Sequence, residues 1–410
     1  MEDHDHRKLA ARLGLYHIEE EAPGMPFWHP DGHALYRQIE DYVRRLMGQA
    51  GYMEVRTPQV LPRSLWERSG HWEKFAAGMF RVADSGGKEM ALKPMSCPCH
   101  VAIFNRHRKS WRDLPYRLSE FGSCHRDEPS GSMHGLMRTR AFEQDDAHVF
   151  CERAQVEDEV LRFYGLLDRA YRDLGFPSYK VALSTRPDVR AGDEDDWDWA
   201  EGALARVAAA AGLSPVLQPG EGAFYGPKLE FVLFDSQGRE WQCGTVQVDL
   251  VLPKRLDASF VGRAGKAERP VMVHHAVLGS LGRFIAILLE HHGGRLPFWL
   301  APVQVEVLPV SARHAEAASR AAEAFAMRGL RVRMSEEGSL GRRLADERSR
   351  CVPVHAVVGN REASDGSVAL SMPDGERDVL PVLDAGNRLA GMSRSGSAMP
   401  EGLPSCPADR

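Results

Sequence analysis

Several things are scarce in this chain, and each scarcity excludes a class of protein. Only 7 cysteines occur among 410 residues, an odd number scattered along the sequence, so the dense disulfide framework of a small secreted protein is excluded and reduced thiols are expected. No apolar run approaches the ~20 residues that a membrane span requires. The opening stretch, MEDHDHRKLAARLGLYH, is charged where a secretory leader is apolar, and a cytoplasmic location is expected. A surplus of positive charge is also missing: 52 Lys and Arg face 57 Asp and Glu, a net charge of −5. That balance argues against wholesale electrostatic capture of nucleic acid and leaves only a local basic groove. No internal repeat is evident. What is present, 43% hydrophobic and 27% charged residues, suits two or three packed domains at this length.

Leu35, Ile39, Tyr42, Val43 and Leu46 recur at helical spacing, Gly48 and Gly51 loosen the chain, and YMEVRTP then reads as a strand stopped at Pro58. Residues 116–151 have two strand-like arms around EPSGSMHG, where Pro, Ser and Gly supply turn chemistry, so a long hairpin is expected. Residues 154–174 and 199–212 have helical composition, while KVALSTR and KLEFVLF read as strands. VMVHHAVLGSLGRFIAILLE passes from a strand through a glycine-containing turn into an apolar helix. After a boundary near Pro302 the pattern becomes strand, helix (313–328), strand, helix (340–350), strand, strand, the alternation of a small α/β domain. From about Asn387 the sequence lacks periodicity and is rich in Gly, Ser and Pro, so a disordered tail over 387–410 is expected.

KPMSCPCH at 93–100 raises the question of metal binding. Cys97 lies there, His148 follows two aspartates in QDDAHVF, and His274 and His275 adjoin in VMVHHA. Catalytic zinc takes about three protein ligands of these types. By spacing alone the signal is weak, because a buried cysteine is often an inert small hydrophobe and a strand histidine a hydrogen-bonded core residue. Arg126 in CHRDE and Arg283 in GSLGRF fall where the chain leaves a strand, and their guanidinium forks match phosphate oxygens as well as they match a surface carboxylate. GEGAFYGPK at 220–228 fits either a close backbone approach to a ligand or a plain turn.

Taken together, HRKLAARLGLYH, EEEAPGMPFWHPDG, RSLWERSGHWEKF, LKPMSCPCH, the hairpin sequence 116–151, LSTRP, GEGAFYGPK, WQCGTVQVD and LGSLGRF closely resemble the class II core of threonyl-tRNA synthetases, from about residue 4 to 302. The resemblance implies an α+β catalytic domain (1–301) on a class II antiparallel sheet, followed by a small α/β anticodon-binding-like domain (302–386). It implies a dimer interface at motif one, the helix and strand ending at Pro58. It also assigns roles. Arg126 and Arg283 would be catalytic and hold ATP phosphates, with Glu128, Arg138, Gln242 and Thr245 around the nucleotide and Mg²⁺ accompanying it. Cys97, His148 and His274 would be the ligands of one Zn²⁺ per subunit, leaving Cys99 and His275 beside the metal. Gln144, Asp146, Tyr225 and Gln247 would line the threonine pocket, Asp146 accepting the hydroxyl proton. ATP, L-threonine, tRNA and a second copy of the chain are the implied partners. The family commonly adds an N-terminal editing domain, and none is expected in a chain whose resemblance begins at the catalytic core.

Departures from the family pattern are visible. Ser96 and Cys99 replace Asn and Gly in the usual KPMNCPGH; Ala141 and Glu143 replace Gly and Thr; His275 replaces Arg; Gly282 replaces Glu. Between Ala301 and Ala385 there are 11 arginines, no lysine and 13 acidic residues, not the basic face that a phosphate backbone favours. These departures leave two alternatives to a threonine–tRNA ligase: a paralogue activating threonine or a related β-hydroxy amino acid for another acceptor, or a non-catalytic regulatory protein.

Overall fold

The computed structural model describes residues 4–372 and 375–397. Its contacts divide the chain into two units, one of residues 18–26 and 43–287, the other of 1–17, 27–42 and 288 onward. The elements that matter below are helices α1 (Pro30–Gln49), α2 (Cys97–Asn105), α3 (Val156–Asp173), α4 (Glu194–Ala210) and α5 (Leu281–His292). The strands of the first unit are β1 (Met53–Glu54), β2 (Tyr116–His125), β3 (Ala141–Cys151), β4 (Lys180–Ser184), β5 (Val216–Gln218), β6 (Lys228–Phe234), β7 (Glu240–Asp249) and β8 (Val271–Ser280).

These strands form one eight-stranded sheet in the order β5-β4-β6-β7-β8-β3-β2-β1. Every neighbour pair is antiparallel except β4–β5 and β1–β2. The expected hairpin is present, with β2 and β3 paired from Tyr116↔Phe150 to His125↔Ala141. The expected strand before Pro58 is shorter: only Met53 and Glu54 pair, because the Thr57 backbone N–H turns to the Glu120 carboxylate at 2.7 Å instead.

Period-two alternation sends Phe142, Gln144, Asp146, His148 and Phe150 of β3 to one face of the sheet. Phe150 is fully buried there and stacks on Phe104 of α2, ring centroids 4.3 Å apart, in a cluster that also holds Cys97, Leu118 and Met272. Phe150→Ala should therefore cost about 3–5 kcal/mol of stability, read as a lowered denaturant midpoint; a loss below about 1 kcal/mol would contradict this packing. The opposite face is covered by α3. Its first turn carries Glu157, Asp158 and Glu159, which complement the helix dipole, and its buried side includes Val160, Phe163, Leu167 and Tyr171.

A bulge in β8 aims the chain into α5. The β8–β3 register shifts between Ala276 and Ser280, and the ladder bonds lost there are replaced by one side chain. The Asp145 carboxylate accepts the backbone N–H groups of Val277, Leu278 and Gly279 at 2.8, 3.0 and 2.8 Å. Gly279 has φ 75°, and a Cβ there would stand 2.5 Å from the Cys243 carbonyl oxygen, so the bulge requires glycine.

The second unit holds a five-stranded sheet of β9 (Val305–Pro309), β10 (Val332–Met334), β11 (Val354–Val358), β12 (Ser367–Ser371) and β13 (Arg377–Pro381) in the order β10-β9-β11-β12-β13. It is accompanied by α6 (Ala315–Ala326), α7 (Leu340–Ser349) and α8 (Val382–Ser397). The expectation of disorder from Asn387 is corrected up to Ser397: those residues continue α8, whose Ala385 and Leu389 are buried in one cluster with Phe325. Their i, i+4 spacing is a helical signal that the surrounding glycines and serines obscure. Residues 398–410 lie outside the described residues.

Candidate active site

The site faces the open side of the first unit's sheet. A cavity of about 460 Å³ is lined by Arg126, Glu128, Arg138, Gln144, Tyr225, Gln242, Thr245, Gln247 and Arg283, together with Lys74, Phe75, Phe142 and His71. Every nucleotide- and substrate-contact residue expected from sequence is thus gathered at one place except Asp146. That residue is buried beside the cavity, with its Oδ1 3.7 Å from His148 Nε2 and its Oδ2 accepting the Ser96 backbone N–H at 3.3 Å. Burial pushes its carboxyl above the ordinary range, against the pull of His100 and His274.

Each arginine is held at its root and left free at part of its fork. Arg126 emerges at the end of β2, where its backbone N–H closes the hairpin on the Arg140 carbonyl at 2.8 Å. Its guanidinium lies over Phe142 at 5.1 Å and Phe75 at 5.7 Å, and its Nε donates to the Pro94 carbonyl at 3.3 Å. Arg283, in the first turn of α5 beyond the bulge, donates from Nε to Met137 O at 2.8 Å and from Nη1 to Gln242 O at 2.9 Å. Burial pulls its pKa below the ordinary value, but a guanidinium stays protonated in proteins. Two fixed cations in one cavity suit a polyanionic ligand.

Cys97, His148 and His274 are brought together from three separate segments, their donor atoms all within 4.8 Å of one another. Register explains the imidazoles: Gln247, His274 and His148 occupy one row across β7, β8 and β3. Cys97 enters from the first turn of α2, where proline pre-sets the helical backbone. His148 Nε2 and His274 Nδ1 face each other at 3.0 Å, and His274 Nε2 donates to Asp249 Oδ2 at 2.8 Å. Asp249 is itself fixed, its Oδ1 accepting the N–H groups of Val251 and Leu252 at 2.6 and 3.0 Å. One thiol, two imidazoles and a carboxylate orienting one of them form a donor set that fits zinc. Burial pushes the Cys97 thiol well above its ordinary pKa, with Asp146 and Asp249 adding to it. Burial likewise pulls His148 well below its ordinary value, with His274 and His100 adding to it. The cluster adjoins the cavity through Tyr225, whose ring is 5.3 Å from that of His274, and through His71, whose Nε2 is 3.9 Å from Cys97 Sγ.

Of the two residues expected beside the trio, His275 is the one that turns away from it. Cys99 is buried among Thr57, Lys93 and Glu120. His275 is not beside the metal position: strand alternation turns it to the other face, where it meets the Tyr52 hydroxyl at 2.7 Å and the Phe163 ring at 4.6 Å. The arginine usual at that position would need a cationic head accommodated under α3. At Gly282 an added Cβ would meet nothing closer than Leu136 at 3.8 Å, so the missing glutamate leaves room and creates no strain. Ser123 Oγ donates to Glu143 at 3.1 Å, which accounts for a glutamate at that strand position. His71, Phe75 and Phe142 were not singled out from sequence. Phe142 had a usable signal, since it precedes Gln144 by two residues on the same strand face, whereas nothing in the local spacing marks His71.

Two family models match: the tRNA synthetase class II core domain (G, H, P, S and T) over residues 80–292 and the anticodon binding domain over 304–384. The structure is similar to that of the RNA binding domain of threonyl-tRNA synthetase from Cryptosporidium parvum Iowa II, with TM-score 0.89, 37% identity, and 95% of this chain and 98% of that one covered. The chain belongs to the threonyl-tRNA synthetase family. Among curated relatives, the threonine–tRNA ligase of Caulobacter vibrioides is 53% identical over 386 residues, or 94% of this chain. That of Gluconacetobacter diazotrophicus is 50% identical over 392 residues. The chain spans about 59% of the Caulobacter protein's length and about 61% of the Gluconacetobacter protein's. A prolyl-tRNA synthetase from Giardia lamblia, at 19% identity and TM-score 0.72, shares the fold. Among the described residues of this synthetase-family chain, no helix is long and apolar enough to cross a membrane.

Proposed function

We propose that this chain is a threonine–tRNA ligase that joins L-threonine to ATP's α-phosphate and passes the threonyl group to tRNA. The observation that carries the reading is the joining of two features: the Cys97/His148/His274 donor trio abuts, through Tyr225 and His71, the cavity that holds Arg126 and Arg283. In the first step a threonine carboxylate oxygen bonds to the α-phosphorus and the bond to the bridging oxygen breaks, releasing pyrophosphate. In the second, the terminal ribose hydroxyl of tRNA attacks the threonyl carbonyl and AMP leaves. Charge builds on phosphate oxygens in the first step, so pre-positioned guanidiniums supply most of what is needed, with Mg²⁺ accompanying ATP. Arg126 is assigned to the α-phosphate, Arg283 to the terminal phosphates, Glu128 to the adenine, and Arg138, Gln242 and Thr245 to the rest of the nucleotide. Cys97, His148 and His274 would hold one zinc, which supplies coordination positions for threonine's amino group and hydroxyl. Asp146 would take the hydroxyl proton's hydrogen bond while Gln144, Tyr225 and Gln247 wall the pocket. We further read residues 1–301 as the catalytic domain, 302–386 as the tRNA-contacting domain, the region ending at Pro58 as a homodimer interface, and the enzyme as cytoplasmic.

Charging of bulk tRNA with labelled threonine tests the whole sequence of steps. Accumulation of threonyl-tRNA is expected. Threonine-dependent pyrophosphate exchange without charging of any tRNA would overturn the acceptor, and absence of both would overturn the activity.

A further inference from the structure

One buried chain of hydrogen bonds near the donor trio is not explained by ligand geometry alone. His148 presents Nε2 toward His274, and its other nitrogen, Nδ1, lies 2.7 Å from Nδ1 of His100. His100 is fully buried in α2, and its Nε2 is 3.2 Å from Glu120 Oε2. Glu120, 3% exposed on β2, is in turn fixed by donors: Lys93 Nζ at 3.1 Å on Oε1, the Thr57 backbone N–H at 2.7 Å, and the Thr57 hydroxyl at 2.9 Å on Oε2.

Donor and acceptor counting sets the direction of this chain. Glu120 is surrounded by N–H and O–H groups and beside an ammonium; burial pushes its carboxyl up, but His100, Thr57 and Lys93 together hold it down to about 2, so it only accepts. A neutral His100 then carries its proton on Nε2, toward Glu120, and accepts at Nδ1. The hydrogen between the two Nδ1 atoms must then come from His148, which leaves the Nε2 of His148 with a bare lone pair. Asp249 favours the same outcome at His274 directly, since its Oδ2 accepts the hydrogen bond from Nε2–H and leaves the Nδ1 lone pair free. Two imidazole lone pairs at 3.0 Å repel each other unless a cation lies between them.

We propose that Glu120, acting through His100, is a positioning residue that holds His148 with its proton on Nδ1 and its Nε2 lone pair turned to the metal position. This rests on the zinc site proposed above. A carboxylate behind a metal-bound histidine usually touches it directly, as Asp249 does, and removing such a partner costs 10–100-fold in metal affinity or activity. Here an imidazole is interposed, so the same effect is expected from a residue two hydrogen bonds away. The internal strand position of His148 gives the reason: its Nδ1 points at α2, where His100 and not a carboxylate faces it.

Three variants and two readouts test this. Zinc affinity is measured by chelator competition, and nitrogen-15 spectra of the zinc-loaded wild type should show His148 protonated on Nδ1 and His100 protonated on Nε2. His100→Leu removes the acceptor and should weaken zinc binding by about 10–100-fold. His100→Asn keeps a carbonyl acceptor near the Nδ1 position and should bind closer to wild type; a packing role alone predicts the reverse order, because the larger, apolar leucine replaces more of the buried ring's volume than asparagine does. Glu120→Gln should fall between them if it folds, and the two His100 variants decide the matter if it does not. A His100 protonated on Nδ1 in the zinc-loaded wild type, or His100→Leu binding zinc as tightly as wild type, overturns the proposal while leaving the zinc site standing. A wild type that binds no zinc overturns the site itself and the proposal with it.

Discussion

Arg126→Ala should lower threonine-dependent pyrophosphate exchange by about 10³-fold with the fold intact. Removing one pre-positioned donor from a developing oxyanion costs about 10²–10³ in rate, and a guanidinium on phosphate sits at the upper end because it loses charge and geometry together. Arg126 is set up for that role by being restrained without being neutralised. Its guanidinium rests between Phe142 and Phe75 and spends Nε on the Pro94 carbonyl, so the fork is oriented before any ligand arrives. Arg126→Lys should recover only part of the loss, because an ammonium is a point charge without the fork. Exchange within about tenfold of wild type in Arg126→Ala would remove this residue from the phosphate site.

His274→Ala is expected to have the larger effect, about 10⁴-fold on threonine-dependent exchange, and to release bound zinc. A site that recognises a hydroxyl by direct bonds loses about 10⁴–10⁵ when those bonds cannot form. His274 is also central in the site: it faces His148, is oriented by Asp249, lies near Tyr225, and pairs in register with Gln247. The residual reaction of the variant should no longer favour threonine over valine, and that change in ratio separates loss of recognition from general damage. Zinc content and exchange both unchanged in His274→Ala would contradict the assignment.

Much of this site was legible from residues because it is built on regular strands. Period-two alternation along QDDAH already puts Gln144, Asp146 and His148 on one face, and the glycine between two apolar runs in VLGSLGRF marks the bulge that sends Arg283 inward. Resemblance supplied the roles that spacing could not. What stayed hidden depends on pairings between distant segments. His148 and His274 are 126 residues apart, and no local pattern announces that they share a register row. The partners of His100 and Glu120, and the place of His71 beside Cys97, have the same character. His275 shows the converse: adjacency in sequence suggested adjacency to the metal, and the alternation of the strand places it on the opposite face. At the end of the chain, composition pointed to disorder while two apolar side chains four residues apart were enough to seat α8 on Phe325.

The proposed function requires that a hydroxylated amino acid be recognised at the Cys97/His148/His274 corner of the cavity. Pyrophosphate exchange with purified zinc-loaded protein, run with threonine and then with valine under the same conditions, tests that most directly. Exchange with threonine exceeding that with valine by about 10⁴-fold is predicted, since valine matches the shape and lacks the hydroxyl; equal exchange with the two, or none with threonine, would contradict it.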